Sequence, residues 1–128
     1  MMQWVRMAET DYSVAQHLFQ TFYPKPYEII CYHCQQAAEK AIKALIIKNG
    51  SQGGLPKKHD LSFLLNQLKN QVDIEEKYYD YADTLTPYGV SIRYPNELFL
   101  EERHAKEALR MVGEILEWIK GLIEISAE

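Results

Sequence analysis

Net positive charge is missing from this chain: 14 Lys and Arg stand against 18 Asp and Glu, a formal charge of -4 over 128 residues. A uniformly basic polyanion binder is excluded. Any nucleic-acid role needs a local basic patch, because phosphate neutralisation by Lys and Arg drives that binding. No apolar run approaches the roughly 20 residues that cross a bilayer. Glu9 and Asp11 follow Met1 closely, so the start lacks the basic-then-apolar order of a signal peptide. Only two cysteines occur, too few for a disulfide framework, and a reducing cytoplasm is the expected setting. No Gly-rich loop ends in Lys-Ser or Lys-Thr, which removes P-loop NTP hydrolysis; the Gly50–Gly54 stretch reads as a connection. Internal repeats and low-complexity tracts are absent. Period-two alternation is confined to Val90-Ser91-Ile92, so a sheet is not expected.

What the chain has instead is helical periodicity. Trp4, Ala8, Tyr12, Ala15, Leu18, Phe19 and Phe22 recur at three- and four-residue steps and predict a helix over residues 2–22. Pro24 and Pro26 stop it and introduce a second helix over 27–48, with Tyr27, Ile30, Cys31, Cys34, Ala38, Ala41, Ile42 and Leu45 on its apolar stripe. Asn49-Gly50 ends that helix. Asp60 is the expected N-cap of a short third helix carrying Leu61, Leu64, Leu65 and Leu68. A fourth carries Ile74, Tyr78, Tyr81, Ala82 and Leu85 and ends near Thr86-Pro87. A fifth spans 97–125 with Leu98, Ala105, Ala108, Leu109, Val112, Leu116, Ile119 and Ile123 buried. The expected fold is all-α, one domain, an antiparallel four- or five-helix up-and-down bundle in which helices two and five are longest and pack antiparallel.

The connection Tyr88-Gly89-Val90-Ser91-Ile92-Arg93-Tyr94-Pro95 holds an arginine between aromatic rings, where a short polar turn would join the helices. Guanidinium presents a planar fork of donors that matches phosphate oxygens and stacks on rings. Arg93 is therefore the first ligand-binding or catalytic candidate, with Tyr88 and Tyr94 as stacking faces for a base. Lys57-Lys58-His59 lies at the start of the third helix, where a helix N-terminus and two lysines favour an anion. Lys40 and Lys43 share a face of helix two and are ligand-binding candidates, set against the reading of a solvated face on which Glu39 and Lys43, four apart, form a weak surface pair. Glu39 and Gln35 lie a turn apart and can turn inward, a carboxylate there serving to position the arginine. Among the histidines, His59 and His104 are catalytic candidates, His33 flanks the stripe of helix two, and His17 is a surface residue. Cys31 and Cys34 fall on the apolar stripe with no second cysteine pair, so core packing is expected and no metal.

Taken together, Gln35-Gln36-Ala37-Ala38-Glu39-Lys40, His59-Asp60-Leu61, Arg93-Tyr94-Pro95 and the acidic-aromatic first helix with Asp11 resemble the HEPN family over essentially the whole chain. The resemblance implies a four- or five-helix bundle, usually a homodimer. It also implies association with nucleotides or RNA, often beside a separate minimal nucleotidyltransferase in a toxin–antitoxin pair. No cofactor is expected. Members that cut RNA carry a histidine a few residues after such an arginine. Here the next one is His104, eleven residues on, and the nucleotide-binding branch is the closer match. The rival readings are a metal-independent endoribonuclease using Arg93 with His104 or His59, and a non-catalytic interaction module.

Overall fold

A computed structural model describes residues 1–50, 59–89 and 99–127. Five α-helices follow in order: α1 Met2–Thr21, α2 Tyr27–Lys48, α3 Leu61–Asn66, α4 Glu76–Leu85 and α5 Glu102–Ala127, with a 3-10 turn Thr86–Gly89 closing α4. No strand occurs among the described residues, as the missing alternation implies. No described helix is long and apolar enough to cross a membrane.

Ion pairs and ring contacts fix the directions. Trp4 lies beneath the Lys43 ammonium and Asp11 meets His33 and Lys40, so α1 runs opposite to α2. Glu9 pairs with Lys120, and Lys25, just before α2, pairs with Glu102 at the start of α5. α5 therefore opposes α1 and runs parallel to α2. Lys77 reaches Glu114 and the Tyr78 ring stacks on Trp118 at 4.2 Å, while Tyr81 meets Arg110, which sets α4 against α5. The order is up, down, up, down. The expectation that α2 and α5 pack antiparallel is corrected: in such a bundle the second and fourth long helices must point the same way.

α2 is the central element, packing on α1, α5, α3 and the 3-10 turn. Thirteen of its 22 residues are buried, so it is enclosed on most sides instead of carrying one stripe. Ala37, Ala38, Ala41 and Ala44, all at most 1% exposed, let neighbouring helices approach closely. Cys31 and Cys34 lie in this core as small apolar groups. Burial is the main cause that pushes the Cys31 thiol up to about 12 and raises Cys34 as well, so neither offers a thiolate near neutrality.

α3 is short and leans on Leu61, Leu64, Leu65 and Leu68, all fully or almost fully buried. The Asp60 side chain accepts from the Phe63 N–H at 3.2 Å, the cap expected from the sequence. α5 begins at Glu102 and not at residue 97. The His104 Nδ1 accepts the Glu101 N–H at 2.9 Å, which closes the first turn from behind as a capping box does. Leu98 lies outside the described residues, and Phe99 is 88% exposed.

Candidate functional site

Gln35, Glu39 and Lys43 recur at steps of four along α2 and so share one face, and all three are buried. Three elements converge on them: α2 itself, the entry to α3 with His59, and the 3-10 turn ending at Gly89. The Glu39 Oε1 accepts from Gln35 Nε2 at 3.1 Å and from His59 Nδ1 at 2.9 Å. Its Oε2 accepts from Lys43 Nζ at 3.1 Å. Gln35 Oε1 in turn accepts from Gln36 Nε2 at 2.8 Å. The carboxylate is thus bonded on both oxygens, as a buried charge requires.

Burial alone would push the Glu39 carboxyl up. Hydrogen bonds from His59, Lys43 and Gln35, with the charge of Lys43, outweigh that and hold it below the usual carboxylate range. Glu39 is ionised at neutral pH. The entry to α3 is pinned from two sides. Leu61 N–H donates to Thr86 Oγ1 at 3.1 Å, and Thr86 Oγ1 donates to the Ala82 carbonyl at 2.7 Å. These bonds fix His59 against α2.

Gly89 lies flat on Gln35. A Cβ there would sit 2.8 Å from Gln35 Cδ and 2.9 Å from Oε1, inside van der Waals contact with a side chain already bonded on both ends. Gly89→Ala is expected to cost about 1–3 kcal/mol by overpacking. Gly121→Ala meets nothing within 4 Å inside α5 and is expected to gain up to about 1 kcal/mol of helix propensity. Urea unfolding of the two variants checks this; equal midpoints would remove the argument for a rigid Gln35.

A second polar cluster joins α1 to α2. Asp11 accepts from His33 Nδ1 at 3.0 Å through one oxygen and from Lys40 Nζ through the other. The Tyr32 ring stands edge-on to His33. Beside it, a shallow cavity of about 310 Å³ is lined by Gln3, Arg6, Met7, Thr10, Asp11 and Lys40.

The residues expected at the site fall into three groups. Arg93, Tyr94, Lys57 and Lys58 lie outside the described residues. His59, Glu39 and Gln35 are brought together, and the inward turn of the last two is what their spacing allowed. The remaining candidates have other occupations. Tyr88 is only 7% exposed, its ring buried as part of the core, so it is no open stacking face for a base. Burial, with the nearby Cys31 and Cys34, raises its hydroxyl pKa. Lys43 is buried against Glu39 and Lys40 is tied to Asp11, which corrects the reading of a solvated lysine face. His104 is engaged in the α5 cap. The pairing of Asp11 with His33 and Lys40 was not foreseen, because residues on separate helices give no spacing signal. Among the described residues, no cluster of His, Cys, Asp and Glu has the make-up of a metal site.

Comparison with known proteins places these features in context. The model of the HEPN domain matches residues 1–122. A protein of Methanocaldococcus jannaschii named "Putative toxin MJ1304" is 30% identical over 136 aligned positions, covering 94% of this chain and 86% of that one. Among solved structures, TT1696 from Thermus thermophilus aligns with a TM-score of 0.81 at 27% identity, covering 94% of this chain and 95% of that one. ST0689, an archaeal HEPN homologue, aligns with a TM-score of 0.71 at 28% identity, covering 95% and 96%.

Proposed function

The chain belongs to the HEPN domain family, and from that premise we propose that it binds the phosphate of a nucleotide or an RNA through Arg93 and the polar face built on Glu39. The observation that carries this reading is the Gln35–Glu39–Lys43 face with His59. A buried ion pair is seldom a net source of stability compared with apolar residues of the same volume. Such a face has a use beyond packing when it orients groups for a ligand. Chain connectivity supports the same end of the molecule. Lys57 and Lys58 directly precede His59, and Arg93 follows Gly89 by four residues, a tether of about 14 Å at most.

The physiological partner in this reading is a separate minimal nucleotidyltransferase, in a toxin–antitoxin pair formed in the cytoplasm, with this chain as a homodimer. The word toxin in the name of the archaeal relative supports that setting. Two free, buried cysteines suit a reducing compartment.

The test is titration of wild type and Arg93→Ala with ATP, GTP and a short RNA. Loss of a charge-assisted bond to phosphate is worth roughly 1.5–3 kcal/mol, about ten- to a hundredfold in affinity. Arg93→Lys is expected to recover only part, since an ammonium keeps the charge and loses the fork. Equal binding by wild type and Arg93→Ala would sink the assignment of this connection.

A further inference from the structure

We infer that Gln35 is a positioning residue of the phosphate site: its buried amide ties the entry to α3 at His59 to the 3-10 turn at Gly89, so that the two chain segments shift as one. The inference rests on the phosphate-binding reading above and names what keeps the two flanks of that site in register. Gln35 is 0% exposed, so it acts through its neighbours.

The orientation of the amide follows from what surrounds it. An ionised carboxylate and a backbone carbonyl only accept, so the nitrogen is the atom that faces Glu39 Oε1 at 3.1 Å and the His59 carbonyl oxygen, more distantly, at 3.4 Å. Both of its N–H groups are thereby assigned. The amide oxygen accepts from Gln36 Nε2 at 2.8 Å. Gly89 covers the whole group: a Cβ there would lie 2.8 Å from Cδ, 2.9 Å from Oε1 and 3.1 Å from Nε2.

Packing alone does not call for such a residue. Burying an amide costs free energy unless its bonds are made, and α2 fills other enclosed positions with Ala38, Ala41 and Ile42. An apolar side chain at 35 would fill space equally well. It could not donate to the His59 main chain and, at the same time, to the carboxylate that holds the His59 ring at 2.9 Å. Gln35 thus grips His59 at both its backbone and, through Glu39, its side chain. The entry and the turn meet a second time where the Leu61 N–H donates to Thr86 Oγ1 at 3.1 Å. Two points of attachment stop the segments from rotating about one another. The neighbouring polar groups span no such gap: Lys43 lies between Glu39 and the Trp4 ring, and Ser62 turns away to Asp83.

The experiment reads the His59 ring by nitrogen NMR in the ligand-free full chain, at a pH where the ring is neutral, beside titrations with ATP, GTP and a short RNA. In wild type the bond to Glu39 fixes the Nδ1–H tautomer, and the two ring nitrogens should give well-separated signals. Gln35→Met, of similar length, keeps the packing and removes both donor bonds. It should move the His59 signals towards the average of the two tautomers and weaken binding by about three- to tenfold. Gly89→Ala, whose nearest neighbours are all Gln35 atoms, should move the same signals in the same direction. In the Gln35→Ala background the space is free, and adding Gly89→Ala should leave the His59 signals where Gln35→Ala puts them. Separate packing roles would instead give additive shifts. Wild-type ring signals in Gln35→Met, or in Gly89→Ala should the former not fold, overturn the inference and leave the phosphate-binding reading standing, as do additive shifts in the double variant. Shifted signals with unchanged affinity overturn it too, since the amide would then hold the entry without serving the site. No binding by wild type overturns the phosphate-binding reading and, with it, the role of Gln35 there.

Discussion

Glu39→Ala is expected to destabilise the protein by about 3–5 kcal/mol, because it strands the Lys43 ammonium at a site where that side chain is 11% exposed. Gln35 Nε2 and His59 Nδ1 lose their common acceptor in the same change. For a chain of this length the loss corresponds to a fall of roughly 10–25 °C in Tm. Replacing both members, Glu39→Leu with Lys43→Leu, should recover much of it, since apolar residues of similar volume often serve a buried position as well as an ion pair does. A single substitution that lowers Tm by less than the double one would show that the pair is solvated after all.

The same carboxyl gives an acid limb to stability. Its pKa is lowered on folding from an ordinary value of 4.5, so the folded state binds the proton less readily than the unfolded chain. The stabilisation is complete above 4.5 and is lost as pH falls through the lowered value. Glu39→Gln removes this contribution. The gap in Tm between wild type and Glu39→Gln should therefore narrow on acidification below pH 4.5 and stay constant above it.

Leu61→Ala is expected to cost about 2–5 kcal/mol and to loosen His59. α3 has six residues, too few to hold as an isolated helix, since nucleation is costly and helices below about 12 residues are marginal in water. Its leucines supply the burial that keeps it folded. Leu61 is fully buried and stands two residues from His59, and its N–H ties the entry to Thr86. Lys69→Ala, at an exposed position just beyond the same short helix, should change stability by no more than about 0.5 kcal/mol. In urea, the Leu61→Ala midpoint should fall by roughly 1–3 M and the Lys69→Ala midpoint should hardly move. Similar shifts for the two would mean that α3 packs more loosely than its leucines indicate. A fall in the binding attributed to the His59 end, in Leu61→Ala alone, would tie the anchor to the site.

Much of this architecture is written in local sequence. The apolar steps of α1, the proline pair before α2, the Asp60 cap and the leucines of α3 each act over one or two turns, and the corresponding elements form where those signals lie. The start of α5 was displaced because apolar periodicity continues upstream of Glu102, while the Glu101–His104 cap that sets the boundary depends on a histidine used as a backbone acceptor. At the site, the four-residue steps of Gln35, Glu39 and Lys43 were legible, and so was their common face. Their depth was not. A Glu–Lys pair at that spacing has the same appearance on a wet helix as on an enclosed one, although the alanines at 37, 38, 41 and 44 hinted that both sides of α2 are covered.

By itself the sequence determined the helices, their order, the family and the residue types available for a phosphate site, because these depend on spacing along one chain. Only the tertiary structure decided which groups meet. It buried Tyr88, set α2 and α5 parallel, gave Lys40 to Asp11, and left His59 as the histidine held by a sunken carboxylate and open to solvent. Those outcomes turn on desolvation and on contacts between residues far apart in sequence, such as Glu39 with His59 and Asp11 with Lys40. Periodicity reports which face a residue occupies; what covers that face is fixed only when the helices pack.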